Sequence, residues 1–66
     1  RDRVTGRDLL DLGLPPGPDF RKWLSRLQEL QLEGTLRTRK EALLMLGQIA
    51  PVEQNTLAEY LEKLAL

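Results

Sequence analysis

Leucine supplies most of the apolar positions in this chain, and the apolar residues recur at intervals of three and four. That spacing predicts helices, because it places side chains on one face of a 3.6-residue turn. Between residues 18 and 33 the apolar set is Phe20, Trp23, Leu24, Leu27 and Leu30. Residues 39–50 carry a second inward stripe of Ala42, Leu43, Leu46, Ile49 and Ala50. Residues 53–65 carry a third, of Leu57, Tyr60, Leu61 and Leu64. A shorter stretch, residues 6–12, has Leu9, Leu10 and Leu12. No stretch alternates apolar and polar residues in the manner of a strand, and there is no repeat. The expected fold is all-α: a small bundle of about four short helices with no sheet.

The polar residues punctuate this pattern. Thr5 is a suitable N-cap with Asp8 three residues on, close to a capping box, and Asp8 also complements the positive end of the helix dipole. Gly13 suits the left-handed position that ends a helix, and Leu14 precedes a proline, which disfavours helical geometry. Pro18 fits the first turn of the next helix, with Gly17 as its N-cap. Gly34 closes that helix in turn. Thr38 and Glu41 form a T-x-x-E capping box. Gly47 lies inside the third helix, where it either weakens it by about 1 kcal/mol relative to alanine or permits close contact with a neighbour. Pro51 ends that helix or begins the next, and Asn55 or Thr56 caps the last.

Sixty-six residues make a single small domain, 1–66, with little core to spare. The start at Arg1 has no Met and no signal segment, so the chain is expected to be a piece of a longer one. No apolar run approaches the ~20 residues that cross a bilayer. Without cysteine there are no disulfides or thiolate metal sites, which suits a cytoplasmic location. Without histidine the usual neutral-pH general base is missing. No nucleophile–base pair, metal set or phosphate loop stands out, so the chain is not expected to be an enzyme by itself. Formal net charge is zero, yet residues 1–40 hold nine Lys/Arg against six Asp/Glu, and residues 41–66 hold one against four. Such a split suggests that one end meets an anion.

One run of signals is more specific than a helical pattern. It comprises Gly6-Arg7-Asp8-Leu9, Leu12-Gly13, Pro16-Gly17-Pro18, Leu32-Glu33-Gly34, Thr38 and Glu41-Ala42-Leu43. In this order they resemble the C-terminal region of bacterial-type tRNA nucleotidyltransferases: the CCA-adding enzymes, their A-adding and CC-adding relatives, and bacterial poly(A) polymerases. The resemblance covers roughly two thirds of the chain, departs from the family pattern at Arg21 and Trp23, and does not extend to residues 51–66. It implies a division of labour. Nucleotidyl transfer, with its Mg²⁺ and nucleoside triphosphate, belongs to an N-terminal catalytic domain that is absent here. Helical neck, body and tail regions hold the tRNA. The resemblance therefore implies a tail domain that grips the tRNA backbone toward the elbow, with tRNA and the chain's own catalytic and neck domains as partners.

Candidate contacts to an RNA backbone are Arg7, Gly17, Arg21, Lys22, Arg26, Arg37, Arg39 and Lys40. Gly17 opens a helix whose free N–H groups suit a phosphate, with Arg7, Arg21 and Lys22 as flanking charge. The alternative is a rigid corner in which the prolines and glycines only set the angle between helices. Arg21, Lys22 and Arg26 lie away from the apolar stripe of their helix. Arg37, Arg39 and Lys40 crowd the start of the third helix, where cations oppose the dipole. If both clusters face one way they form a patch of about five charges; otherwise they are an ordinary solvated surface. Asp8 and Asp11, at i and i+3, read as a cap and a solvated acid rather than a metal site. Phe20, Trp23 and Tyr60 read as core rather than as base-stacking platforms. Two other readings are open. The acidic last helix can make the chain a protein-interaction or interdomain packing module, homodimer included. "LGLPPG" resembles the glycine turn of helix-hairpin-helix DNA binders, though Pro16 and Pro18 fit it poorly.

Overall fold

The computed structural model describes residues 2–65, and these form four helices with no strand: α1 (Gly6–Asp11), α2 (Pro18–Leu32), α3 (Arg39–Ile49) and α4 (Gln54–Ala65). The bounds match the periodicity to within a residue, because start and stop residues fix them locally. Thr5 and Thr38 are both extended N-caps. At α3 the Thr38 hydroxyl accepts from Glu41 N–H at 3.1 Å, and the Glu41 carboxylate accepts from the N–H groups of Arg37 and Thr38. Gly13 (φ 87°) and Gly34 (φ 84°) close α1 and α2 with the same paired bonds. The N–H of each glycine returns to Leu10 O or Gln31 O, and the next N–H reaches Leu9 O or Leu30 O. These are Schellman ends, whose left-handed residue only glycine adopts cheaply.

At α4 the cap differs from the expectation. Neither Asn55 nor Thr56 serves; the Glu53 carboxylate accepts from both of their N–H groups, at 3.0 and 2.8 Å, and from the Thr56 hydroxyl. These bonds hold the Glu53 carboxyl below its ordinary value. An acid just before the first turn satisfies the same orphan donors and complements the dipole.

The six-residue link 33–38 folds α3 back along α2, as short helix connections do. The far end of α3, followed by Pro51, thereby comes against Phe20 and Trp23 at the start of α2. A second reversal at 50–53 lays α4 along α3, bringing Leu57 onto Gly47. Leu9, Leu27, Leu43 and Leu46 are fully buried at the centre, with Val4, Leu12 and Leu14 sealing the α1 side. Three apolar positions turn out differently: Leu64, near the end of α4, is exposed, and so are Ile49 and Leu10. Ile49 is 41% and Leu10 is 49% exposed, because each lies at the edge of its helix's apolar arc and no other element covers it.

The segment before α1 is tied to α2 by two glutamines. Gln31 Oε1 accepts from Val4 N–H at 2.9 Å, and its Nε2 donates to Asp2 O at 2.6 Å. Gln28 Nε2 donates to Val4 O at 3.3 Å. The buried Gln31 amide thus pairs with an extended backbone as a neighbouring strand would, and Val4 can be buried without orphaned polar groups.

Candidate nucleic-acid interface

The basic residues fall into three groups by what holds them. Arg7 lies 3.1 Å from Asp11 and Arg26 lies 2.8 Å from Glu29, both as exposed pairs within one helix. Such pairs contribute about 0.3–0.5 kcal/mol and open readily to a phosphate. Arg3, Arg21, Lys22, Arg37, Lys40 and Lys63 are exposed and have no carboxylate partner among the described residues; of these, Arg21 with Lys22 and Arg37 with Lys40 form clusters. Arg39 alone turns inward.

Because α2 and α3 run antiparallel, the two free clusters do not merge. Arg21 and Lys22 stand at the start of α2, whereas Arg37 and Lys40 stand where α3 begins, beside the end of α2. The α2 helix between them spans about 16 Å at 1.5 Å per residue. A single five-charge patch is therefore not formed. The hairpin instead carries one basic pair near each end.

Between Pro15 and Phe20 the chain makes the corner that joins α1 to α2. Gly17 caps α2 through its carbonyl, which accepts from Arg21 N–H at 3.1 Å, and Pro18 takes the first helical position. Pro15, Pro18, Phe20, Trp23 and Pro51 line a shallow groove of about 310 Å³. Phe20 and Trp23 are half-buried and pack against the core, as their place in the stripe predicts.

Asp8 is fully buried, which its reading as a cap did not anticipate. It does cap α1, accepting from Thr5 N–H at 3.0 Å. It also receives Arg39 Nε at 3.2 Å and Nη2 at 2.5 Å, and Tyr60 O–H at 2.5 Å. One carboxylate thus joins α1, α3 and α4. Burial pulls the Asp8 carboxyl upward, but the bonds from Arg39, Tyr60 and Thr5 together outweigh it and hold the group below its ordinary value. Asp8 in return raises the Arg39 guanidinium. Burial and the Asp8 charge push the Tyr60 hydroxyl up to about 12. The Tyr60 oxygen is also 3.5 Å from Asp11 Oδ2. Arg39 is therefore not part of a free basic cluster: its position against the α3 dipole is explained by the anion it binds inside the fold.

Sequence reasoning missed two residues of this framework. Gln31 stands one turn after Leu27 in the apolar stripe, a polar residue at a core position, and that was the available signal. Asp8 gave no such signal, because an acid at N3 of a helix is explained by capping alone. Among the described residues no three His, Cys, Asp or Glu side chains are grouped to hold a metal ion, and no helix is long and apolar enough to cross a membrane. No protein-family model, curated protein or solved structure matches this chain.

Proposed function

We propose that this chain is an RNA-holding helical domain, the tail of a tRNA nucleotidyltransferase, which grips the tRNA backbone while the chemistry proceeds on another domain. The observation that carries the reading is the two exposed basic pairs, Arg21 with Lys22 and Arg37 with Lys40, left without carboxylate partners among the described residues in a chain of zero net charge. Of the other basic side chains, Arg7, Arg26 and Arg39 each have an acid, whereas Arg3 and Lys63 stand singly on the surface. The resemblance of residues 4–46 to the tail of that enzyme family supports the same reading.

Basic pairs near the two ends of a rigid helical hairpin suit two stretches of phosphate backbone rather than one. Contacts of this kind fix position and orientation and carry no base sequence, which fits a domain that must accept every tRNA. The capped corners at Gly13–Pro18 and Gly34–Thr38 hold the spacing between the pairs, so little ordering is needed on binding. In this reading the domain works in the cytoplasm beside the catalytic and neck regions of its own chain, and Mg²⁺ and nucleotide are bound there.

The test is a titration with unmodified tRNA at about 20 mM and about 150 mM salt. Four phosphate contacts give a slope of log K against log salt near −3. Replacing Arg21 and Lys22, or Arg37 and Lys40, by alanine should each reduce that slope by about 1 to 2 without preference for tRNA sequence. Absence of binding at the lower salt, or a slope unchanged in both variants, overturns it. The competing packing-module reading predicts concentration-dependent sedimentation of the chain by itself and no response to tRNA.

A further inference from the structure

Helix α4 is attached to the rest of the molecule differently from α1, α2 and α3. The most completely buried side chains, Val4, Asp8, Leu9, Leu27, Leu43 and Leu46, all come from residues 4–46. From α4 only Leu57 is buried; Tyr60 and Leu61 are half-covered, and Leu64 is 36% exposed. An open groove of about 610 Å³ runs between the last turns of α4, the start of α3 and Asp2, so the end of α4 stands clear of the body.

Besides the partial cover of Tyr60 and Leu61, two specific contacts hold it. Leu57 sits on Gly47, so near that a Cβ built on the glycine would lie 2.6 Å from Leu57 Cδ2. Tyr60 donates its hydroxyl to Asp8, 52 residues away in the chain. The joint is compact: Ala50 is extended (φ −126°, ψ 158°), and Val52 N–H returns to Ala50 O at 2.8 Å across Pro51. That is a single tight turn, with Pro51 fixed in φ and rotation left to the bonds on either side of it. Asp8 keeps Thr5 N–H and Arg39 when Tyr60 leaves, so opening does not orphan the buried charge.

We infer that α4 is a hinged strap that opens as a unit from the three-helix body, with Ala50–Glu53 as hinge and the Tyr60–Asp8 hydrogen bond as catch. Opening uncovers the face of α3 around Gly47 together with the Asp8–Arg39 pair. This is a sub-global opening of the kind that precedes full unfolding.

Native-state hydrogen exchange on the whole chain tests it. The amides of Tyr60 to Lys63 should exchange through an opening that is more frequent, and less dependent on denaturant, than the one exposing Leu27, Leu43 and Leu46. In Tyr60→Phe, which keeps the ring and removes the catch, relaxation dispersion should be confined to residues 50–65 and the residues they touch. The open population should rise about tenfold, the effect of losing one hydrogen bond to a charged group. One common opening for all four helices in the native protein overturns the strap. Dispersion spread evenly over α1 to α4, or an open population unchanged by Tyr60→Phe, overturns the catch.

Discussion

Arg39, at the first position of α3, binds the fully buried carboxylate of Asp8 in α1 through Nε and Nη2, across 31 positions of sequence. The guanidinium fork matches the carboxylate, and its partly exposed side keeps some hydration. Replacing Asp8 with Asn keeps the shape and removes the charge, and should cost about 2–3 kcal/mol in urea unfolding. For a domain of this size that is a large part of its stability.

The same group sets an acid limit. Its folded pKa is lowered, so the stability it supplies is complete above the unfolded value near 4 and is lost as pH falls through the folded value. The stability gap between the native chain and Asp8→Asn should therefore be constant from about pH 5 to 7 and close below about pH 4. Tyr60 sets a limit of opposite sense. Its pKa is raised from 10 to about 12, so its contribution is complete below pH 10 and is lost as pH rises toward 12. Tyr60→Phe should lack that alkaline limb in a pH series of thermal melts.

Arg39 and its neighbours should separate cleanly. Arg39→Ala leaves a buried carboxylate with only Thr5 and Tyr60, and should cost about 3 kcal/mol. Lys40→Ala should change stability by less than about 0.5 kcal/mol, and Arg37→Ala should be neutral or slightly stabilising because it removes a cation from the positive end of α3. Thermal melts of the three variants check this. If the domain holds tRNA as proposed, the order should reverse in a tRNA titration, with Arg37→Ala and Lys40→Ala weakening binding more than Arg39→Ala.

Gly47 and Leu57 form a single packing unit. Gly47→Ala gains about 1 kcal/mol of helix propensity but drives a methyl into a buried leucine, so it should destabilise by about 1 kcal/mol net. In a Leu57→Ala background the clash is gone, and the same change should stabilise by up to about 1 kcal/mol. A double-mutant cycle reads the coupling directly.

Gln31→Ala removes the amide that pairs with Asp2 and Val4. A buried Val4 N–H is left without a partner, at a cost of about 1–3 kcal/mol. Hydrogen exchange at Val4 should rise well above the change seen in α3.

How far the sequence could be read follows from the range of the forces involved. Capping by Thr38 and Glu41, termination at Gly13 and Gly34, and entry at Gly17–Pro18 act over three to five residues, and each was legible at its own position. Glu53 was passed over because two better-known capping residues, Asn55 and Thr56, follow it. The candidate interface was legible as a list of cations but not as an arrangement, since only the return of α3 along α2 separates Arg21 and Lys22 from Arg37 and Lys40.

Local periodicity and capping thus determined, from the sequence by itself, that this chain is four helices, where each begins and ends to within a residue, and the central leucines Leu27, Leu43 and Leu46 that face inward. Tertiary structure decided which charges are neutralised. Asp8, Arg39 and Tyr60 lie in three different helices, and no spacing rule relates positions 8, 39 and 60. They meet because burying the leucines around them fixes the helix positions. A carboxylate enclosed by that burial is stable only where a cation and hydrogen-bond donors arrive with it.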